Sequence, residues 1–427
     1  MKRPLIMLVM LIGSVMTSTA QEIKMDSLAV EEAVTIALEH NPQIRASDAN
    51  LHSAEAGLTQ ARASYFPSIT ALATASHTDG ALVTPGLPVR NQTYNSYTAG
   101  FQAQQTLIDF GKMVSRVSAN SQFVDAAGYD SHSAREDVIV NVEVAYFNLM
   151  QSKQVVKVNE EAVNNTQQHL KEAQAFYSVG RRAQLDVTTA EVNLANAEVA
   201  LIRSKNQVLI AKLQLESEMG VRLPSSVGVR NDFDVPQFSM TLDSAKLIMQ
   251  SQRPDLLSAK AKVEANNALV TAAWSQHLPT LSASGAYTWS NFDFPLFSRW
   301  NAGVTLTLPI FQGFLIQGQV DQARAAAEAA KANLDVVTDA VMLDVEQQYL
   351  NVNEASERII ATTKLVEQAE QSLNLAEKQY AAGVGSQIEV TDAQLALSNA
   401  RITRIQALFD YNSSLVRLQR AMGTLGR

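Results

Sequence analysis

The chain has 427 residues, 46% hydrophobic and 18% charged, with a formal net charge of −8 and no cysteine. The missing cysteines exclude a disulfide framework, and an acidic chain without a basic stripe excludes a nucleic-acid partner. No stretch after the first twenty residues has some 18 consecutive apolar residues, so any membrane segment must be a barrel and not a helix.

In chain order, the first element is "MKRPLIMLVMLIGSVMTSTAQE". Lys2 and Arg3 precede an apolar run, Leu5–Met16, and Ser18 and Ala20 fit the small-residue cleavage rule. This predicts a secretory signal peptide over 1–20, too short to span a bilayer. No cysteine follows it that could carry a lipid anchor.

The rest is written twice. Residues 31–78 align with 243–290 at an offset of 212, matching Pro42 to Pro254 and Pro67 to Pro279. After about residue 100 the offset is 203, matching Tyr146 to Tyr349, Gly180 to Gly383 and Met219-Gly220 to Met422-Gly423. The difference falls between Thr78 and Tyr97, where a longer loop is expected in the first copy. The first repeat is placed at 21–220, with short helices at about 28–39 and 43–64, strands at about 68–78 and 95–106, and long helices at about 113–177 and 184–218. "VRLPSSVGVRNDFDVPQFSM", 221–240, reads as a linker. The second repeat, 241–427, has helices at about 242–251 and 255–275, strands at about 280–290 and 299–308, and long helices at about 318–380 and 387–420.

The strands alternate with period two. In "TLSASGAYTWS" one face holds Leu281, Ala283, Tyr287 and Trp289, and the other holds Thr280, Ser282, Ser284 and Thr288. "WNAGVTLTL" places Trp300, Val304 and Leu306 opposite Asn301, Thr305 and Thr307. One apolar face with aromatics near the loop end and one small, polar, uncharged face match membrane β-barrel strands. Strands of a soluble sandwich would carry a bulkier core face and charge outside. Four strands cannot close a barrel, whose minimum is about eight, so several copies must combine.

The helices are equally unusual. No proline lies between Pro88 and Pro224, or after Pro309. A helix over 113–177 is about 100 Å long, far beyond the globular norm of about 11–12 residues. Alanine-rich "QARAAAEAAKANLDVV" (322–337) suits close side-by-side packing. The helical pattern breaks only at "YSVGRRAQLDVTTAE" (177–191) and "YAAGVGSQIEVTD" (380–392). Gly180 and Gly383 fall where left-handed caps are expected, and Ser386 with Glu389 spells a capping box. Glu389 and Asp392 lie three apart, on one helix face.

This set resembles the TolC-like outer-membrane efflux proteins. The residues that carry the resemblance are "HNPQIRASDANLHSAEAGLTQARASYFPSI" (40–69), "AYFNL" (145–149), the two Tyr-x-x-Gly turns, each with an acid six residues on, and "RLQRAMG" (417–423). It implies a mainly α chain with a membrane β-barrel portion. Three copies would form a homotrimer, each giving four strands to one twelve-stranded barrel and its long antiparallel helices to a periplasmic tunnel. It also implies an outer-membrane location, contact with outer-membrane lipid, a periplasmic adaptor and an inner-membrane transporter as partners, and export without a chemical step. Glu389 and Asp392 would ring the pore constriction. Asp186, Arg181, Arg182, Tyr177 and Tyr380 would form the gate and tip, and the turns at Gly180, Gly383 and Gly385 would dock the adaptor. In one respect the chain departs from the family: an arginine that helps lock the family's closed gate falls at Gly385.

The alternative is a coiled-coil scaffold or surface structural protein without a pore, which needs neither the strands nor the duplication. An enzyme is disfavoured. The six histidines are scattered without metal-ligand spacing, and there is no phosphate loop, nucleophile elbow or catalytic constellation. No cofactor is expected.

Overall fold

The structure, a computed structural model, describes residues 27–82, 90–224, 228–230, 233, 235–236 and 238–426. The predicted signal peptide lies outside the described residues. The first repeat begins with a short strand β1 (Ser27–Leu28), then α1 (Val30–His40), α2 (Pro42–Ala63), β2 (Ser68–Leu82), β3 (Arg90–Ile108), α3 (Lys112–Ser178) and α4 (Gln184–Met219). A short strand β4 (Gly228–Val229) lies in the linker. The second repeat follows with α5 (Leu242–Gln252), α6 (Pro254–Trp274), β5 (Thr280–Asn291), β6 (Phe297–Thr307), α7 (Leu315–Ala381) and α8 (Gln387–Met422). The expected class, long helices plus four substantial strands, is what the structure shows.

Helices α3 and α7 each run 67 residues, about 100 Å at 1.5 Å per residue. Alongside α3, α4 and α2 stack end to end; α8 and α6 do the same alongside α7. The joints explain why each repeat carries a Met-Gly pair and a proline-started helix. Asn41 caps α2 by accepting the Gln43 N–H at 2.7 Å, and its Nδ2 donates to the Glu218 carbonyl at the end of α4, 2.7 Å away. Pro42, which has no N–H to leave unsatisfied, takes the first helical position. In the second repeat Arg253 stands where Asn41 stood and donates to the Ala421 carbonyl at 2.9 Å. One helix's negative C-terminal end therefore meets the next helix's positive N-terminal end, as dipoles prefer. Gly220 and Gly423 close α4 and α8 with φ of 72° and 74°. A Cβ on them would stand 3.0 Å from the His40 carbonyl oxygen and 2.7 Å from the Gln252 carbonyl oxygen, respectively.

Two apolar cores sit at these joints. One gathers Leu28, Ala33, Val142, Tyr146, Leu215 and Met219; the other gathers Ala245, Met249, Val345, Val352, Tyr411 and Leu418. Strands β1 and β4 pair in parallel beside the first core. Tyr146 fixes them by donating its hydroxyl to the Leu28 carbonyl at 2.9 Å. This two-residue ladder is too short to show a period-two pattern in sequence.

The four longer strands form one sheet, ordered β2-β3-β5-β6, with every neighbour antiparallel. The first hairpin corrects an expectation. Most of its extra residues extend the ladder to Leu82 and Arg90, so they lengthen paired strands. Residues such as Thr78, Thr93 and Tyr94 favour strands, and nothing before Leu82 breaks the ladder.

Candidate functional site

The chemistry-bearing features lie at opposite ends of the molecule, the two helical hairpin tips and the sheet. Both tips close by the same backbone device. At the first, the Gly180 N–H donates to the Tyr177 carbonyl and the Arg181 N–H to the Phe176 carbonyl, both at 2.9 Å. At the second, the Gly383 N–H donates to the Tyr380 carbonyl at 3.0 Å and the Val384 N–H to the Gln379 carbonyl at 3.1 Å. This crossed pair needs a left-handed residue after the helix, and the glycines supply it with φ of 71° and 80°.

The returning helices start differently. Helix α8 has a complete capping box, with the Ser386 N–H donating to Glu389 Oε2 at 3.1 Å and the Glu389 N–H donating to Ser386 Oγ at 3.3 Å. Helix α4 has Ala183 at the matching position and no side-chain cap. Glu389 and Asp392 are both exposed, beside the buried stripe of Val390 and Ala393 on α8. Glu389 thus turns part of its carboxylate back on its own helix, whereas Asp392 has no such role.

Tyr380 is the centre of the tips. It is buried, its ring lies edge-on to Phe176 at 6.3 Å, and the Arg182 guanidinium sits 4.8 Å from its ring centroid. Burial pushes its phenol above the ordinary value against the pull of Arg182, with Asp186 and Glu172 adding to the rise. Tyr177, its counterpart 203 residues earlier, is exposed, and so is Arg181. The tips therefore bring Tyr380, Arg182 and Asp186 together and leave Tyr177 and Arg181 outside. Gly385 is packed so closely that a Cβ would meet Gln379 Cβ at 3.0 Å. A side chain at 385 would press on Gln379 and the Tyr380 amide nitrogen; Arg182, at the equivalent position of the other tip, covers Tyr380 instead.

Several residues that join the hairpins carry no signal in sequence. Phe176 bridges the tips, Asn193 Nδ2 donates to Thr391 Oγ1 at 3.3 Å, and Arg401 pairs with both Glu161 and Glu370. The contacts of Phe176, Asn193 and Arg401 with Glu161 span helices far apart in the chain, so no local spacing announces them.

On the sheet, register assigns the faces. Pairs Ala71–Phe101, Phe101–Tyr287 and Tyr287–Trp300 put one aromatic row on a single face. Ile69, Trp300, Val304 and Leu306 on that face are 64–77% exposed. Rings cluster toward the β5–β6 turn: Phe101 with Trp289, Tyr287 with Trp289, and Tyr97 with Phe294. Both outer strands, β2 and β6, have an unpaired edge. No helix among the described residues is long and apolar enough to cross a membrane. No metal-holding cluster of His, Cys, Asp and Glu occurs among them either.

Comparison with known proteins agrees with this geometry. A family model described as "Outer membrane efflux protein" matches residues 33–221 and 248–424. The outer membrane protein TolC of Escherichia coli is 24% identical over 406 residues, covering 90% of this chain and 80% of its own length. The outer membrane efflux protein BepC of Brucella suis is 24% identical over 428 residues, covering 98% of this chain and 89% of its own. Among solved structures, the CmeC outer membrane channel of Campylobacter jejuni has the same fold, with a TM-score of 0.83 at 21% identity over 92% of this chain and 85% of that one.

Proposed function

The chain belongs to the outer membrane efflux protein family, and from that membership we propose that three copies close into one export conduit performing no chemical step. The protein is an outer-membrane efflux channel of a tripartite system. One observation carries the closed assembly: the sheet leaves two edges unpaired while one face is apolar and exposed. Open edges and lipid-exposed backbone are not tolerated in a bilayer, so β6 of one copy pairs with β2 of the next until twelve strands close. The exposed apolar residues of the helices support the same reading. Leu185, Val192 and Val199 on α4, and Val336, Leu343 and Leu350 on α7, are all exposed at seven-residue spacing, as coiled-coil seams awaiting a neighbour are.

In the trimer the six tips surround the tunnel entrance. Asp392, with Glu389 behind it, presents three-fold rings of negative charge that favour cations there. The Arg182–Tyr380 contact holds the two tips of each chain together and so takes the place of the arginine lacking at Gly385. The left-handed turns at Gly180 and Gly383 form the surface that docks a periplasmic adaptor, which links the conduit to an inner-membrane transporter.

The native mass of the detergent-solubilised protein tests the assembly, with three chains expected. A monomer, or a monodisperse protein without detergent, favours the scaffold alternative. Replacing Asp392 by Asn is expected to lower cation preference more than replacing Glu389 by Gln. Unchanged selectivity in both variants assigns the acids to helix capping alone. Valine at Gly180 or Gly383 is expected to weaken co-purification of the adaptor, and intact co-purification removes the turns from the docking surface.

A further inference from the structure

The inner face of the sheet, opposite the aromatic row, has one feature that the helical tips do not explain. At positions 68–80, 94–106, 280–290 and 297–307 its residues are mostly Ser, Thr, Gln, Gly and Asn. Arg299 is the one formal charge among them. Its face follows from register, since Thr288 pairs with Arg299 and Gly100 pairs with Thr288, one residue out of step with the Phe101–Tyr287–Trp300 row. It stands two residues into β6, near the β5–β6 turn and far from the helices. It is exposed and forms no ion pair among the described residues. The row it occupies is kept small at Gly100, where Thr288 Cγ2 lies 2.7 Å from the place of a Cβ.

We propose that Arg299 forms a cationic collar in the barrel lumen at its outer mouth, a site for small multivalent anions such as inorganic polyphosphates. The proposal rests on the closed-barrel reading above. Threefold repetition places three guanidinium groups in a stretch of lumen whose other side chains, at the positions given above, carry no charge, and rings of arginine attract anions and phosphates. The conduit is then electrically asymmetric, with an acidic entrance at the tips and a basic exit. Free lumen charges act over a Debye length, about 30 Å at 0.01 M salt and about 3 Å at 1 M. The collar therefore works at low ionic strength and is silent at high.

The absence of native cysteine makes the placement directly testable. R299C and A302C are treated on intact cells with a charged, membrane-impermeant maleimide. The expected result is labelling of R299C and none of A302C, whose side chain is on the aromatic face. Labelling of A302C alone, or of neither, overturns the placement of Arg299. Equal labelling of both contradicts the membrane barrel itself, which separates failure of this inference from failure of the underlying reading. The charge role is then read in planar bilayers by adding inorganic triphosphate on the strand-turn side. Wild type and R299K are expected to lose roughly half their conductance at ~0.01 M salt and none at ~1 M, following the screening lengths. R299Q is expected to conduct without block at either. Block of R299Q equal to wild type, or no block of wild type, overturns the collar.

Discussion

The two helical hairpins of the chain have the same seam positions and different burial. In the second hairpin Val366, Ala369, Leu373, Ala376 and Tyr380 on α7 meet Val390, Ala393, Leu397 and Ala400 on α8, all buried at alternating three- and four-residue spacing. The matching first-hairpin positions include Val163, Thr166, Leu170, Ala173 and Tyr177, of which only Ala173 is buried. Sequence periodicity is shared, so the difference comes from what surrounds each hairpin. The second seam is sheltered by the first hairpin, through Phe176, while both hairpins turn an equivalent pair outward, Leu185 and Val192 on α4 and Ile388 and Leu395 on α8. Unfilled apolar stripes of this kind fit the proposed ring, in which neighbouring copies cover them.

A second contrast runs through the helix joints. The first repeat joins α4 to α2 with a neutral amide, Asn41. The second joins α8 to α6 with buried Arg253, held by Asp255 at 2.9 Å and Asp344 at 2.7 Å. Arg420 extends this network to Asp137 of α3 at 2.8 Å. Duplication kept the geometry of the joint and changed its chemistry, using charge to tie the second repeat to the first.

The largest expected effect breaks that contrast. Arg253→Ala takes the nearest cation from Asp344 and leaves Asp255 with Arg420 alone, at 3.6 Å; losing one member of a fully buried pair costs about 3–5 kcal/mol, and screening of the two part-exposed acids lowers that. Asn41→Ala loses a helix cap, at about 0.5–2 kcal/mol. Denaturant unfolding of the purified protein compares them; equal losses would mean the charged joint acts as a simple cap. Next come the glycines. Alanine in a left-handed conformation costs about 1–2 kcal/mol, and Gly423→Ala adds a contact with the Arg253 Cα at 2.7 Å, closer than anything met at Gly220. Gly423→Ala is therefore expected to lower the thermal midpoint more than Gly220→Ala.

The pH response sharpens the comparison further. Burial pushes Glu136 up to about 7 against Arg420 and Arg253, and burial with Glu31 nearby pushes Glu143 up to about 7. The unfolded chain releases these protons near 4.5. The folded state binds more protons between those values, so this stabilising contribution is full below about 4.5 and is lost as pH rises through 7. Thermal midpoints are expected to fall from pH 5 to pH 8, and Glu136→Gln with Glu143→Gln to flatten that slope. In the second repeat the counterpart of Glu143 is Glu346, paired with Lys246 at 2.6 Å. Val34 occupies the Lys246 position in the first. Val34→Lys is accordingly expected to remove part of the slope. The smallest effect is at the tips, where Arg182→Ala removes a cation–π contact of about 0.5–1 kcal/mol. More frequent channel opening is the readout, and an unchanged opening rate takes Arg182 out of the gate.

Much of the fold was legible because its signals are local and repeated. Period two in "TLSASGAYTWS", the proline-free helical stretches and the paired glycine turns each follow from backbone preference, and the duplication shows each one twice. The longer first hairpin was not legible, because its extra residues read as loop until the ladder is seen to continue to Leu82. The tips were legible as turns and acids. Which tyrosine is buried was not, since Tyr177 and Tyr380 open the same Tyr-x-x-Gly turn and their burial is decided by what packs against them. Arg182 covering Tyr380 and Arg401 pairing with Glu161 are contacts between the repeats, and no spacing within one repeat encodes them.

The claim that three chains close into one gated, charge-selective conduit is tested most directly by single-channel recording of the purified protein in planar bilayers. The expected result is a discrete, cation-preferring conductance whose preference falls in the Asp392→Asn variant. A protein that inserts no conductance from either side, at any salt concentration, would contradict it.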